Sequence, residues 1–298
     1  MARRVVVILN AASRKAEREG LQAALAAAGL DADVREASGP GIAQEARAAA
    51  KAKPDAIVAA GGDGTVNAVA GAIVGTGIPL GVLPLGTLNH FARDLRVPLD
   101  LLGAARVLAE GEPRAIDVGE VNGRLFVNNS SIGIYPEIVR EREAQQESLG
   151  RGKWAAFLVA TWRVMRRFPR LFVIVDLKDR VLARSTPFVF VGNNRYEARL
   201  TAPGTRSRLD AGELSVLTAH DPTRWGVLRM LFGALLRPGP EPRAPGLDLA
   251  TRPEVVVDAR KRALRVALDG EVVEMRPPLR YRVRPGGLRI LAPGGGAA

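Results

Sequence analysis

A glycine-rich turn with one carboxylate is the part of the chain whose residue types could do chemistry. It reads Gly61-Gly62-Asp63-Gly64-Thr65-Val66-Asn67, directly after an apolar run and before a helix-forming stretch. Glycines let backbone N–H groups approach an anion closely, and a helix N-terminus favours negative charge. A carboxylate beside that anion can hold a cation or orient a hydroxyl group. The turn therefore predicts a phosphate site, although a tight strand-to-helix turn with an incidental Asp would have the same spacing.

Two further predicted strands also end in small or polar residues. One strand is followed by Asn10-Ala11-Ala12-Ser13, and another by the segment Pro84 to Leu95, which contains Thr87. The carboxyl ends of parallel strands meet at one edge of the sheet, where ligands of open α/β folds collect. We therefore expect the three loops that follow these strands to lie along one edge of the sheet.

The amino-acid sequence of the turn excludes two familiar classes of phosphate-binding loop. It lacks the Gly-Lys-Thr/Ser ending of a Walker loop. It also lacks the glycine spacing of the Rossmann dinucleotide fingerprint. The phosphate site is therefore predicted to be of another kind.

A second acidic element, Asp269-Gly270-Glu271, comes late in the chain. Apolar and polar residues alternate before it, and Val272 and Val273 follow it. An Asp-Gly hairpin turn would explain this pattern without any function. The spacing alone is equally compatible with a purely structural turn and with a functional acidic pair.

The pattern of predicted strands and helices along the chain indicates an α/β protein with two domains. Residues 1–117 alternate apolar strands with Ala-rich helices, which is typical of an α/β layer. Residues 118–298 contain short alternating segments, which predict an antiparallel β-sandwich with two helical insertions, one around Trp154 and one over 223–236. A Pro-rich linker is expected over 238–245 and a disordered tail over 292–298.

The composition limits the classes of function. The chain has 298 residues, no cysteine and a formal net charge of +12, so disulfides and thiolate metal sites are excluded and anionic partners are favoured. The basic N-terminus leads into a strand rather than a signal-peptide core, which predicts a cytoplasmic protein. Interleaved aromatic and basic strands of the RNA-reading type are lacking, so no specific nucleic-acid partner is expected.

A basic amphipathic helix is predicted around Trp154 and Trp162, with Arg163, Arg166 and Arg167 near its C-terminal end. Such a helix suits peripheral contact with an anionic membrane surface. Ordinary packing of its apolar stripe in the core suits it equally well.

Four motifs occur in an order that resembles the diacylglycerol kinase and sphingosine kinase superfamily, especially its bacterial soluble lipid kinases. They are the Asn10 turn, Gly-Gly-Asp-Gly-Thr at 61–65, Pro-Leu-Gly-Thr-Leu-Asn at 84–89 and Asp-Gly-Glu at 269–271. The resemblance implies a Rossmann-like N-terminal domain, similar to that of phosphofructokinases and NAD kinases, and a lipid-kinase C-terminal domain. It also implies ATP and Mg²⁺ as cofactors and the hydroxyl group of a lipid as acceptor.

The resemblance also implies roles for the acidic residues. Glu271 matches the proton acceptor, and Asp269 would support the magnesium or the hydroxyl group. Asp63 is an alternative base, because sphingosine-type members point to the equivalent loop Asp. Asp63 and Glu271 could also divide the roles, one binding the metal and one receiving the proton. By the same resemblance, the nucleotide phosphates would lie over Gly61, Gly62, Gly64, Thr65 and Asn67, with Asn10, Ser13 and Thr87 lining the same pocket.

Two departures from the family pattern bear on the metal and on the acceptor. Relatives bind a structural Mg²⁺ with two acids before a Gly, whereas this chain has Asp210-Ala211-Gly212. Asp210 is therefore predicted to belong to a weakened or absent metal site. His90 stands where many relatives have Asp, which leaves the acceptor open between diacylglycerol, a sphingoid base and NAD. A catalytically inactive anion-binding protein is a further alternative, and the chain is compatible with a homodimer.

Overall fold

The computed structural model describes residues 2–13, 15–87, 89–149, 153–168, 170–195, 206, 208–219 and 247–294. The chain forms two compact units. The first comprises Met1–Val118, Thr205–Asp210 and Arg284–Ala298, and the second comprises Gly119–Gly204 and Ala211–Val283.

The first unit is built on a parallel sheet with flanking helices. Its elements are β1 (Arg4–Asn10), α1 (Lys15–Ala27), β2 (Asp31–Ala37), α2 (Pro40–Lys51), β3 (Ala56–Gly61), α3 (Asp63–Ile73), β4 (Leu80–Pro84), α4 (His90–Asp94) and α5 (Leu101–Glu110). The strand order is β2-β1-β3-β4, with all three pairings parallel. The strands β3 and β4 are buried along their whole length, as their apolar sequences require.

A strand from the end of the chain completes this sheet. The strand β16 (Leu279–Ala292) begins in the second unit, and its last residues lie in the first unit, where Ile290 pairs with Leu80 of β4 in parallel. Leu288, Ile290 and Leu291 are buried there. The predicted boundary after residue 117 lies next to Val118, but it assigned residues 284–298 to the second domain. The structure differs because Leu288, Ile290 and Leu291 are buried in the first unit, where Ile290 pairs with Leu80 of β4.

The second unit is an antiparallel β-sandwich. Its remaining strands are β5 (Glu112–Val121), which begins in the first unit, β6 (Arg124–Phe126), β7 (Asn129–Gly133), β8 (Leu171–Asp176), β9 (Val181–Thr186), β10 (Phe188–Asn193), β11 (Leu214–Ala219), β12 (Leu247–Arg252), β13 (Glu254–Ala259), β14 (Leu264–Leu268) and β15 (Glu271–Met275). One sheet has the order β12-β11-β10-β7-β14-β15. The other contains the first part of β16, then β13, β8 and β9.

One hydrophobic core lies between the two sheets of the second unit. It combines Val173 and Val257 from one sheet with Ile132, Val191 and Val266 from the other, all of them fully buried or nearly so. The side chains of β8 alternate between this core and the outer face, as a strand with one buried face requires. The fold class predicted from the sequence, an α/β domain followed by an antiparallel sandwich, is therefore confirmed.

Two helices, α6 (Ile134–Leu149) and α7 (Lys153–Arg167), are inserted between β7 and β8. Ala160, Val164 and Phe168 form a buried cluster with Ile134 and Ile138. The predicted helix around Trp154 is thus present, and one of its faces packs against α6. The predicted helix over 223–236 and the predicted linker over 238–245 lie outside the described residues. Ala292 ends β16, and the predicted tail beyond residue 294 also lies outside them. No helix in the described part of the chain is long and apolar enough to span a membrane.

A buried hydroxyl pair in the sandwich core gives a stability prediction. The Ser130 Oγ and Tyr281 Oη atoms lie 3.1 Å apart, and burial raises the pKa of Tyr281. We expect Tyr281→Phe to lower the free energy of unfolding by about 1–3 kcal/mol, because it removes a buried hydrogen-bond partner of Ser130. Adding Ser130→Ala should recover part of this loss, because no hydroxyl is then left without that partner. Urea unfolding of the two single variants and the double variant tests the coupling, and strictly additive losses would contradict it.

Candidate functional site

The carboxyl ends of β1 and β3 form the place in the first unit where the sheet changes its direction of growth. From β1 the chain builds outward to β2, and it then crosses back to add β3 and β4 on the other side of β1. The connections that leave β1 and β3 therefore diverge to opposite sides and open a crevice between the strand ends. Both predicted loops, 10–13 and 61–65, lie at this switch point.

The glycine turn passes directly from β3 into α3. Gly62 is the N-cap residue with an extended backbone (φ −87°, ψ −174°), and its carbonyl accepts hydrogen bonds from the backbone N–H groups of Thr65 (2.9 Å) and Val66 (3.1 Å). The first N–H groups of a helix have no partner within the helix. The turn therefore presents backbone donors, together with the positive end of the α3 dipole, at the edge of the sheet.

Different physical constraints explain why a glycine occupies each of the three positions in the turn. A Cβ atom on Gly61 would lie 2.4 Å from the Thr65 Oγ1 atom, and one on Gly62 would lie 3.3 Å from the Gly86 Cα atom. Packing therefore accounts for Gly61 and Gly62. A Cβ atom on Gly64 would meet nothing within 4 Å, and the backbone of Gly64 is not in the positive-φ region. Gly64 instead leaves open space above the helix N-terminus.

Asn10 joins the first loop to the glycine turn. The Asn10 Nδ2 atom donates to the Thr65 Oγ1 atom at 3.0 Å, and the Asn10 Oδ1 atom accepts from the backbone N–H of Ala12 at 3.0 Å. Thr65 is buried, so the bond lies beneath the loop surface. The side chain of Asn10 thus holds two loops of the predicted pocket together, which is a positioning role.

Arg18 supports the first loop from α1, and the sequence analysis missed it. Its guanidinium donates to the backbone carbonyl groups of Ala11 at 2.6 Å and Ser13 at 3.2 Å. The Arg18 Nη1 atom also donates to both carboxylate oxygens of Glu36, at 2.9 and 3.0 Å. An Arg one helical turn beyond a polar loop was the only available signal, and it is a weak one.

The third loop meets the glycine turn through close backbone packing. A Cβ atom on Gly86 would lie only 2.5 Å from the Gly62 Cα atom. Asn89 adopts the left-handed conformation (φ 50°), and its side chain exchanges two hydrogen bonds with the backbone of Gly86, at 3.0 and 2.8 Å. Thr87 lies at the exposed tip of this loop.

Asp63 links the glycine turn to α4. Its two carboxylate oxygens accept from the backbone N–H groups of His90 (3.2 Å) and Phe91 (3.0 Å). These groups begin α4, so Asp63 caps a helix formed by a distant segment of the chain. The structure thus joins Asn10, the 61–65 turn and the loop that contains Gly86 and Asn89 by direct contacts. Ser13 and Thr87 lie in the first and third of these loops, and Asn67 lies one turn further along α3.

A buried ion pair lies at the other end of α4. The side chains of Asp94 and Arg206 are almost completely buried, and the Arg206 Nη2 atom lies 2.9 Å from the Asp94 Oδ2 atom. Burial raises the pKa of the Asp94 carboxyl, and the Arg206 guanidinium opposes that rise. The pair ties residue 206 to α4, and the sequence analysis missed both partners.

The predicted acidic element in the second unit is a two-residue hairpin turn. Asp269 (φ 50°) and Gly270 (φ 92°) both have positive φ, and Leu268 of β14 pairs with Glu271 of β15, which is the type I′ geometry. The Asp-Gly hairpin interpretation of these residues is therefore confirmed as local structure.

Asp269 does more than form the turn. Its carboxylate accepts backbone N–H groups from three successive residues, Val127 at 2.7 Å, Asn128 at 2.8 Å and Asn129 at 2.9 Å. The backbone N–H of Asp269 in turn donates to the Asn129 carbonyl at 2.9 Å. These bonds lock the turn against the segment that enters β7. Like Asp63, Asp269 therefore has a positioning role.

Glu271 contrasts with Asp269. Its side chain is exposed, and its carboxylate makes no hydrogen bond or ion pair with any residue that the structure describes. A carboxylate without such a partner, directly after a turn that Asp269 holds in place, is open to a ligand.

The predicted metal residue Asp210 is exposed and pairs with Arg208, whose Nε atom lies 3.1 Å from the Asp210 Oδ1 atom. Within the described ranges, no group of three His, Cys, Asp or Glu side chains is arranged to hold a metal ion. Asp210 therefore has a local partner that satisfies its charge.

Comparison with known proteins gives matches over most of the chain. Residues 4–121 match the diacylglycerol kinase catalytic domain. A protein of Pseudomonas aeruginosa named "Probable lipid kinase YegS-like" is 34% identical over 306 residues, which covers 98% of this chain and 95% of that protein. A diacylglycerol kinase of Staphylococcus epidermidis is 36% identical over 175 residues, and the matched region spans 55% of its length and 58% of this chain.

The fold also has a counterpart among solved structures. A diacylglycerol kinase from Bacillus anthracis superposes with a TM-score of 0.72 at 17% sequence identity, over 98% of this chain and 97% of that chain. At this level of identity the likeness concerns the fold.

The ion pair behind α4 gives a prediction with a pH signature. Arg206→Leu leaves the Asp94 carboxylate buried without its cation, and we expect the free energy of unfolding to fall by about 3–5 kcal/mol at neutral pH. Removing Arg206 raises the folded pKa of Asp94 further above the unfolded value. Folding then favours the protonated carboxyl, so stability is lost as the pH rises through the folded pKa and regained as it falls.

The matched control for this prediction is Arg208→Leu, which removes an exposed partner of Asp210 and should change stability little. Urea unfolding of both variants at neutral and mildly acidic pH makes the comparison. A loss for Arg206→Leu that is no larger than that of the control, or that grows on acidification, would contradict the role of the pair.

Proposed function

The chain belongs to the family of proteins that carry a diacylglycerol kinase catalytic domain, and on that premise we propose that it is a lipid kinase. It transfers the γ-phosphoryl group of ATP to the primary hydroxyl group of a lipid, with diacylglycerol as the first acceptor to test. The observation that carries the proposal is the junction of three loops at the carboxyl ends of β1, β3 and β4. There, Asn10 contacts Thr65, Gly62 contacts Gly86, and Asp63 caps α4.

The nucleotide phosphates bind above the N-terminus of α3. The first backbone N–H groups of this helix are the donors, and the helix dipole favours the negative charge. Gly64 supports this assignment, because neither packing nor backbone conformation accounts for a glycine there, whereas the close approach of a ligand does. Asn10, Ser13 and Thr87 line the same pocket from the neighbouring strand ends.

A magnesium ion fits the donor set around Asp63. Each carboxylate oxygen of Asp63 accepts one backbone N–H, at 3.0 and 3.2 Å, and an ionised carboxylate has further lone pairs. These hard oxygen atoms are of the type that Mg²⁺ prefers. When bound, Mg²⁺ neutralises charge on the phosphate oxygens. Asp63 would hold the ion while keeping α4 in place.

Glu271 receives the proton of the attacking hydroxyl group. In the transfer, the bond between the acceptor oxygen and the γ-phosphorus forms, the bond to the β-phosphate oxygen breaks, and the hydroxyl proton moves to a base. Glu271 suits this role better than Asp63 or Asp269, because the carboxylates of those two residues already accept backbone N–H groups. Asp269 acts by orienting the turn that carries Glu271.

The identity of the acceptor is a separate question. His90 donates its backbone N–H to Asp63, so its side chain stands at the start of α4, beside the loop junction. Because the resemblance places an Asp at this position in many relatives, a sphingoid base and NAD are the alternative acceptors. A cytoplasmic location and a homodimer stay predictions from the sequence.

The base assignment is tested with labelled ATP, Mg²⁺ and a panel of diacylglycerol, sphingosine and NAD. We expect Glu271→Gln to lower kcat by about 10²–10⁴-fold, because the variant cannot accept a proton. The control is Glu274→Gln, which changes an exposed Glu on the same strand and should leave kcat unchanged. Equal labelling by wild type and Glu271→Gln would remove Glu271 from the mechanism, and labelling of sphingosine or NAD alone would replace diacylglycerol as the acceptor.

The phosphate site is tested by separating stability from binding. Gly64→Ala adds a methyl group in open space at a helical position, so we expect it to stabilise the fold by about 0.5–1 kcal/mol. The same methyl group would occupy the space through which the nucleotide phosphates approach the N-terminus of α3. We expect this to cost ~1.4 kcal/mol of binding free energy, which raises the KM for ATP about tenfold.

Gly71→Ala is the matched control for this prediction. Gly71 lies in α3, and a Cβ atom there also meets nothing within 4 Å. It should stabilise the protein similarly without changing the KM for ATP. Thermal unfolding and steady-state kinetics on both variants distinguish the two effects, and an unchanged KM in Gly64→Ala would contradict the phosphate assignment.

A further inference from the structure

Some of the described residues of helix α7 lie outside its contact with α6. Ala160, Val164 and Phe168 face the buried cluster with α6. Trp162 points away from that cluster, and 58% of it is exposed. Exposing a large aromatic side chain to water is unfavourable, and such a residue is a common anchor in interfaces.

Arg166 holds the Trp162 indole in place at the surface. These residues are one helical turn apart, and the Arg166 guanidinium carbon lies 4.8 Å from the centroid of the Trp162 ring. Both side chains are exposed. The stacking pre-organises an aromatic group and a cation side by side, so less conformational entropy is lost when a partner binds.

The charge of this face is positive and only partly neutralised. Arg163 pairs with Glu141, with 2.7 Å between Nη1 and Oε1. Arg166 and Arg167 are exposed in the last turn of α7, and neither forms an ion pair with a carboxylate in the described residues. We define the α7 face as Trp162, Arg163, Arg166 and Arg167. Its charge complements an anionic surface.

We propose that the α7 face docks on an anionic lipid surface, with the Trp162 indole at the level of the headgroups and Arg166 and Arg167 against their phosphates. Trp and Arg are the side chains that suit the boundary between water and lipid. The opposite face of α7 is packed against α6, so the helix lies on the membrane rather than in it. The proposal concerns binding alone and does not require the chain to be a kinase.

A vesicle-binding assay without ATP or acceptor tests the proposal. The probes are vesicles of phosphatidylglycerol and phosphatidylcholine in equal parts and vesicles of phosphatidylcholine alone. Each basic residue near an anionic surface contributes roughly a fivefold factor to partitioning. We therefore expect Arg166→Gln with Arg167→Gln to weaken binding to the anionic vesicles about 25-fold, and wild type to bind the neutral vesicles much more weakly than the anionic ones.

The control separates the α7 face from net charge. Arg47→Gln with Arg106→Gln removes the same formal charge from two exposed residues on α2 and α5, and it should change partitioning little. Trp162→Ala should weaken binding, whereas Trp162→Phe should retain most of it. Circular dichroism confirms that each variant is folded. These exposed positions are outside the core, and Trp162→Phe keeps the test available should another variant unfold.

Three results would overturn the proposal. The first is equal partitioning of wild type and the α7 double variant, or an equal loss in the Arg47 and Arg106 control. The second is equal binding to duplex DNA with the same loss in the variants, which would mean a general polyanion site. The third is a dimer in solution that dissociates in Trp162→Ala, which would assign the face to a second copy of this chain.

Discussion

Close backbone contact between two glycines, Gly62 and Gly86, is the constraint on which the first unit's loop junction depends. The contact leaves no room for a Cβ atom on Gly86. It brings the end of β3 against the end of β4, while the Asn10–Thr65 hydrogen bond draws in the end of β1. Each loop is therefore defined by its neighbours as well as by its own turn. An edge held in this way needs little reorganisation when a ligand arrives, which lowers the cost of binding.

The residues predicted to act in catalysis or binding fall into two groups. The sequence predicts binding or catalytic roles for Asn10, Asp63 and Asp269. In the structure the side chain of each accepts at least one backbone N–H group and so fixes the local backbone. Gly64 and Glu271 fix no loop. Gly64 leaves space, and Glu271 is an exposed carboxylate without a partner among the described residues. In the proposed mechanism the phosphates approach Gly64 and the proton moves to Glu271. Asp63 fixes the turn that contains Gly64, and Asp269 fixes the turn before Glu271, so each of these positions has a rigid surrounding within its own unit.

Local patterns predicted much of this arrangement. The apolar run before Gly61 and the helix formers after it predicted β3 and α3, and the change to short alternating segments predicted the sandwich. Asp269-Gly270 predicted its own hairpin, because few turns other than type I′ suit that dipeptide between strands. In these cases the physical cause lies within a few residues of the pattern.

Contacts between distant segments could not be predicted in the same way. Asp94 and Arg206 are 112 residues apart, and nothing in either neighbourhood signals an ion pair buried behind α4. The side chains of Arg18 and Asn89 support loops by donating to backbone carbonyl groups. Every residue has a backbone carbonyl group, so the sequence of the loop gives no sign of the partner. The sequence also did not predict which face of α7 is exposed. That depends on the position of α6, which packs on one face of α7 and supplies Glu141 to Arg163, while the Trp162 indole is exposed.

The path of β16 has a consequence for the order in which the protein can assemble. Residues 2–87 supply the strands that carry the three loops, but the strand beside β4 arrives only with residue 290. The first residues of β16 also pair with β13 in the second unit. The same strand therefore completes a sheet in each unit, and during synthesis neither sheet can be complete until β16 has been made.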